Sequence, residues 1–301
     1  MGAALDWARN SALTSLAILL ALASAVLYGA ADFLGGFATK RASTFSVLVL
    51  SQLVSVATVL AALCVFPPAS VHGADLAWGA IAGLVGGAGL VLFYRGLAMG
   101  TMSIFAPITG VAAIAVPVLV GLFDGERPRT TPLVGILLAA VSVVCVSVAV
   151  APRAAEARIS IRAAISGREL VTALAAGSAF GCFYVAIKHA APTAGLWPLA
   201  AARGMSVAAF ATIAVGSGRT MRAPRAVLPI IMWTGFIDML ANICFLLALD
   251  RGMLSVVGTL ASLYPAATVV LARIVLRERL GPVQGLGLGL AAVAVAMMSL
   301  G

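Results

Sequence analysis

Charge is what this chain has least of. Only 10% of its 301 residues are Asp, Glu, Lys or Arg, whereas 62% are hydrophobic and the mean hydropathy is +1.13. A soluble domain carries about 25% charged residues. Histidine is scarcer still: His72 and His189 are the only two, and neither has a partner at metal-ligand spacing. There is no HExxH, G-x-S-x-G or Walker A motif, and no polar stretch long enough to form a nucleotide-binding domain. These absences argue against an intramembrane enzyme and against ATP-driven chemistry, so no catalytic residue, metal or cofactor is expected. Nothing resembles a selectivity-filter loop or a ring of like charges, which argues against a channel. Cysteine is limited to Cys64, Cys145, Cys182 and Cys244, all within apolar runs and none in a CxxC pair, so neither a disulfide frame nor a zinc site is expected.

Long apolar runs fill the rest. A membrane-spanning helix needs about 20 mostly apolar residues. Ten such runs occur, near 12–34, 43–66, 75–99, 102–123, 132–151, 170–190, 196–216, 226–250, 253–275 and 282–300. The fold class expected is therefore an all-α polytopic membrane protein. The first run is too long for a signal-peptide core and no cleavage pattern follows it directly, so it is read as a retained span. The longest polar stretch, PRAAEARISIRAAISGRE at 152–169, divides the chain near its middle. It reads as a basic linker between a five-helix unit at 12–151 and another at 170–300.

A shift of 152 positions aligns these units without a gap. Glu126-Arg127 falls on Glu278-Arg279, Gly135 on Gly287, Gly83 on Gly235, Phe93 on Phe245 and Gly29 on Gly181. An odd number of spans per unit forces the second unit to run opposite to the first. The plan is thus two inverted five-helix repeats, as in many secondary transporters. The net charge of +9 does not point to nucleic acid, because its basic residues lie scattered in short loops. One face of the bundle collects 13 Lys and Arg, from Lys40 to Arg279, and the other only Arg9, Arg127, Arg129, Lys188 and Arg251. The richer face should be cytoplasmic, which places both termini outside the cytoplasmic membrane.

The stretch SLYPAATVVLARIVLRERLGPVQGLGLGL, 262–290, carries Tyr-Pro in a small-residue helix, a Glu-Arg pair, a polar link with Gln and a glycine-spaced last helix. ITGVAAIAVPVLVGLFDGERPRTTPLVGILL, 108–138, has the same form, with Ala112-Ala113 in place of Tyr264-Pro265. Both resemble the closing helices of an EamA domain, from the ten-helix branch of the drug/metabolite transporter superfamily. The resemblance covers nearly the whole chain and implies alternating-access export or exchange of small metabolites or drugs. Size and helix plan further resemble bacterial amino acid exporters of the YddG type, which handle aromatic amino acids. Efflux of cationic drugs, and transport of sugars or nucleotide sugars, are the alternatives within the superfamily. The resemblance fixes neither oligomeric state nor energy coupling, and proton coupling stays open beside simple equilibration.

GFIDMLANICF, 235–245, is the most unusual piece of the hydrophobic sequence. An ionisable residue deep in a span costs about 2.5–3.5 kcal/mol on insertion scales, so it faces protein or a wet cavity rather than lipid. Asp238 lies 13 residues past Arg225, about 20 Å along a helix. Thr234, Asp238, Asn242 and Phe245 share one helical face. Asp238 reads either as a ligand for a substrate amino group or as the partner of Asn242 or of a basic residue on another helix. The counterpart stretch, 83–93, is rich in glycine, including Gly86 and Gly87, and either leaves room for a cavity or packs helices closely. Tyr28, Tyr94, Tyr184, Tyr264, Trp233 and Phe245 are the aromatic candidates for a substrate site. Pro107, Pro117 and Pro265 interrupt the fourth and ninth spans and read as hinges or as fixed kinks. Asp32, at the end of the first span, reads as a helix-end ion pair or a gate, and Arg203 as structural.

Overall fold

A computed structural model describes residues 2–99, 102–147, 167–216, 222–275 and 281–300, with the side chains of 2–12, 94–107 and 272 left aside. Among the described residues the chain is helical apart from short turns. The first half forms α1 (Gly2–Thr39), α2 (Thr44–Val65), α3 (Gly73–Met99), α4 (Met102–Phe123) and α5 (Thr130–Ser147). The second forms α6 (Gly167–Lys188), α7 (Trp197–Gly216), α8 (Leu228–Leu249), α9 (Leu254–Ala261), α10 (Tyr264–Val275) and α11 (Pro282–Ser299). Most of the presumed linker, with Glu278-Arg279, lies outside the described residues, and α6 already begins at Gly167.

Helices are the expected outcome in lipid, where every backbone N–H and C=O needs a partner within its own segment. The ends carry recognisable local chemistry. Ser43 accepts a hydrogen bond from the Ser46 amide and starts α2. Pro282 opens α11, and the Gln284 side chain accepts from the Gly281 amide just before it. Nine runs among the described residues are long and apolar enough to cross a membrane, counting Leu254–Val275 as one. Leu19, Leu137, Val171, Val215 and Ile274 are all more than half exposed. A water-soluble protein would not leave such an apolar belt bare; lipid covers it.

Three boundaries differ from the sequence expectation. First, α1 does not end near residue 34 but continues to Thr39, because nothing in DFLGGFAT breaks a helix strongly enough. Second, α4 runs through Pro107 and Pro117 without a break. A proline removes one hydrogen bond. The Pro117 ring is instead received by Gly258 of α9, where a side chain would collide with it. Third, the ninth span is two helices joined by a turn at Ser262-Leu263. Pro265 sits in the first turn of α10, where its missing N–H would have had no helical partner.

The halves interlock rather than lie side by side. α1 packs on α8 and its counterpart α6 on α3; α3 packs on α7 and its counterpart α8 on α2; α5 packs on α11. This exchange is the signature of a pseudo-two-fold axis relating inverted repeats. At Gly83 the backbone of α3 meets the Ala202 carbonyl of α7, and at Gly235 the backbone of α8 meets the Ser51 carbonyl of α2, each so closely that a Cβ would land on the oxygen. Ser206 donates to the Gly83 carbonyl and Ser55 to the Gly235 carbonyl, both at 2.8 Å. At one end of the bundle two carboxylates join the halves. Asp75 accepts from the amides of His72 and Ala191, each at 2.9 Å. Glu126 accepts from the Leu254 amide and from the amide and hydroxyl of Ser255, the latter two at 2.9 and 2.6 Å. Each places negative charge at the start of a helix, α3 and α9 respectively.

Gly83→Val and Gly235→Val should abolish monodisperse protein on size-exclusion chromatography in detergent. Gly204→Val, where an added Cβ meets nothing, should leave the elution profile and thermal unfolding unchanged.

Candidate functional site

The interlocked helices leave a central cavity of about 130 Å³. Its walls come from both halves. α1 supplies Tyr28 and Asp32, α2 Gln52, and α3 Gly83, Gly86, Gly87, Leu90 and Phe93. α6 supplies Phe180, Phe183 and Tyr184, α7 Arg203 and Ser206, α8 Asp238 and Asn242, and α10 Tyr264. Asp32, Gln52, Phe93 and Asp238 lie six to ten residues from the helix ends at Thr39, Thr44, Met99 and Leu228, about 9–15 Å along each axis. Those ends share the face rich in Lys and Arg. Tyr184, Arg203 and Asn242 lie only four to seven residues from the opposite helix ends at Lys188, Trp197 and Leu249, so the cavity spans the middle of the bundle, and the Asp75 and Glu126 carboxylates join the halves at the face away from the Lys- and Arg-rich one.

The glycines of α3 serve in two ways. Gly83 is a point of backbone contact, as described. Gly86 and Gly87 face Phe183 and Phe210, and with no side chains of their own they leave open the space opposite Asp238.

Polar chemistry concentrates on one wall. Arg203 Nη2 lies 2.8 Å from Asp238 Oδ2, and its Nη1 donates to Gln52 Oε1 at 3.0 Å. The three side chains tie α7, α8 and α2 together. Asn242 donates through Nδ2 to the backbone carbonyl of Asp238, at 2.7 Å, rather than to its carboxylate. Asn242 is 1% exposed, and its Oδ1 has no hydrogen-bond partner among the described residues. The same holds for Arg203 Nε and the Tyr28 hydroxyl. Unpaired buried polar atoms are costly, about 1–3 kcal/mol each, so their convergence on one cavity marks a place built for something else to bind.

The aromatic groups form a second wall. Phe93 and Phe180 meet edge-on at 6.0 Å between ring centres, and Phe183 meets Tyr184 at 5.9 Å. Phe245 is fully buried and does not reach the cavity; its ring backs Tyr184 at 4.4 Å. Tyr28, Tyr184 and Tyr264 line the cavity as expected from sequence. The fourth tyrosine, Tyr94, and Pro107 have side chains outside those described. Trp233 does not join the site. It is 58% exposed on the outer face of α8, edge-on to Phe236, where it meets lipid or headgroups. Pro117 packs between α4 and α9, and Pro265 follows the α9–α10 turn one residue from Tyr264.

Asp32 changes most from its sequence reading. It does not end a helix and forms no ion pair with Lys40 or Arg41; Arg41 lies over the Phe37 ring instead. It is exposed on the cavity wall. The signal that finds it is the repeat itself. The 152-residue shift carries Tyr184 onto Asp32, Tyr28 onto Phe180 and Asp238 onto Gly86. The contacts of Gly83 and Gly235 set α2 and α7 one residue off that shift, which pairs Arg203 with Gln52.

Removing one member of the ion pair leaves the other buried without a partner. Arg203→Ala should destabilise the protein by about 1–3 kcal/mol, below the 3–5 kcal/mol of a fully buried pair because the Asp238 side chain is 25% exposed. Arg203→Ala/Asp238→Ala should recover part of that loss in thermal unfolding, whereas additive losses would show that the pair is not coupled.

Comparison with known proteins agrees with this architecture. A protein of known crystal structure superposes with a TM-score of 0.72 over 94% of this chain and 98% of its own, at 16% identity, which shows a shared fold and nothing finer. No curated protein sequence matches the chain. The model of the EamA-like transporter family matches twice, over residues 15–148 and 167–300, two segments offset by the same 152 residues as the internal repeat. With both halves matched, the chain belongs to the EamA-like transporter family of the drug/metabolite transporter superfamily.

Proposed function

We propose that this transporter exports a small amino acid, one with an aromatic or large apolar side chain, across the cytoplasmic membrane by alternating access. The observation that supports this reading is the composition of the cavity. One wall is aromatic, through Phe93, Phe180, Phe183, Tyr184 and Tyr264, and the other holds carboxylates, a guanidinium and an amide. A zwitterion with a flat apolar body matches both. The Lys- and Arg-rich end of the bundle is read as cytoplasmic, so both termini lie outside. Two inverted halves that differ at their shared cavity are suited to expose it to either side in turn.

Efflux of a cationic drug is the second reading. It needs a deep carboxylate without a cation beside it. Asp238 does not qualify, since Arg203 occupies it, and Asp32 does.

Purified protein in liposomes should exchange labelled phenylalanine or tryptophan against the unlabelled amino acid. Asn242→Ala and Tyr264→Ala should each raise the half-saturating concentration several-fold. A parallel set with an imposed pH gradient distinguishes proton coupling from equilibration. Exchange of none of the amino acids, together with exchange of a bulky organic cation, would replace this reading with the second.

A further inference from the structure

We infer that Asp32, and not Asp238, is the residue that selects the substrate, by binding a primary ammonium group in the cavity. The inference rests on the proposed transport of amino acids and adds the residue that recognises them.

Three charged side chains line the cavity: Asp32, Arg203 and Asp238. Two of them satisfy each other. Arg203 holds Asp238 at 2.8 Å and Gln52 at 3.0 Å. A substrate ammonium directed at Asp238 would have to displace a guanidinium already in place, and leave that guanidinium without its counter-charge. Asp32 sits differently. Among the described residues it has neither an ion-pair nor a hydrogen-bond partner, and it is exposed to the cavity space. The groups that interact with it electrostatically are Asp238, Tyr184, Tyr264 and Tyr28. None of these is a cation. Asp32 is thus the one carboxyl of the cavity with no cation beside it, and it stands among aromatic rings.

A carboxylate in such surroundings is costly unless a cation arrives. Tyrosine faces are complementary to an ammonium ion as well. Asn242 provides the independent sign of a ligand. It is 1% exposed, it lines the same cavity, and its Oδ1 accepts nothing from the protein. An acceptor left unfilled in the same cavity as a carboxyl without a partner suits a group with several N–H donors, which a primary ammonium is. The cavity should therefore accept amino acids and primary amines with an aromatic body, and refuse the corresponding carboxylates that lack nitrogen. Asp238 becomes a positioning residue that keeps Arg203 and α2 in register.

The test compares three ligands of one shape, phenylalanine, phenethylamine and 3-phenylpropionate, binding to purified full-length protein by thermal shift and competing in liposome exchange. Phenylalanine and phenethylamine should bind and 3-phenylpropionate should not. Asp32→Asn should weaken both by about tenfold or more, and Asp32→Glu should restore most of the affinity. The unliganded unfolding temperature of Asp32→Asn checks that it folds; if it does not, Asp32→Ser, which also removes the carboxylate, carries the same test. Equal binding by Asp32→Asn and the parent, or 3-phenylpropionate binding as well as phenylalanine, would overturn the assignment. Binding that follows this pattern without any exchange in liposomes would sink the transport reading alone.

Discussion

The close approach of backbones at Gly83 and Gly235 is the constraint on which the rest of the bundle depends. Lipid gives no hydrophobic drive for helices to associate, so van der Waals contact and short hydrogen bonds must hold them. Small residues provide that contact. Gly83 brings α3 against α7 and Gly235 brings α8 against α2, and in each case a serine on the facing helix donates to the glycine carbonyl. These two contacts are images of one another across the pseudo-two-fold axis. Once they form, α1, α3, α6 and α8 surround a shared space, and the residues that line it follow from the register.

At the far end the two halves are joined differently. Asp75 and Glu126 both belong to the first half, and each accepts backbone amides of the second, at Ala191 and at Leu254-Ser255. These are charge-assisted bonds to the ends of helices or turns. Asp75 is 4% exposed, so its bonds replace those that water would otherwise make.

Much of this was legible in the sequence because the repeat is written into it. Ten apolar runs, the 152-residue shift and the inward stripe of Thr234, Asp238, Asn242 and Phe245 all follow from hydropathy and spacing. What periodicity could not supply was depth around the helix. Trp233 and Asp238 lie on the same helix five residues apart; spacing turns Asp238 inward, and packing shows that Trp233 faces outward and not the cavity. Helix ends in a membrane are also weakly marked. The apolar run near 12–34 sets Asp32 at the end of the first span, near an aqueous boundary, whereas the helix continues to Thr39 and Asp32 lies on the cavity wall. Pro117 reads as a hinge or a fixed kink from sequence; the glycine opposite it on α9 that receives its ring is a compensation on a distant segment that no local reading detects.

The axis also explains why the two halves cannot share their polar chemistry. Gln52 and Arg203 occupy equivalent positions and touch each other at 3.0 Å. Equivalent residues that meet near a two-fold axis face their own copies. If the halves were identical there, two guanidiniums would stand in contact within an apolar bundle, a like-charge pair with no solvent to screen it. One member must therefore be neutral and able to accept, as glutamine is. The same asymmetry holds where Gly86 stands in the position equivalent to Asp238: it faces Phe183 and carries no carboxylate. Symmetry builds the cavity, and electrostatics at its axis forces the cavity to be asymmetric. That asymmetry gives the site a preferred orientation for whatever it binds.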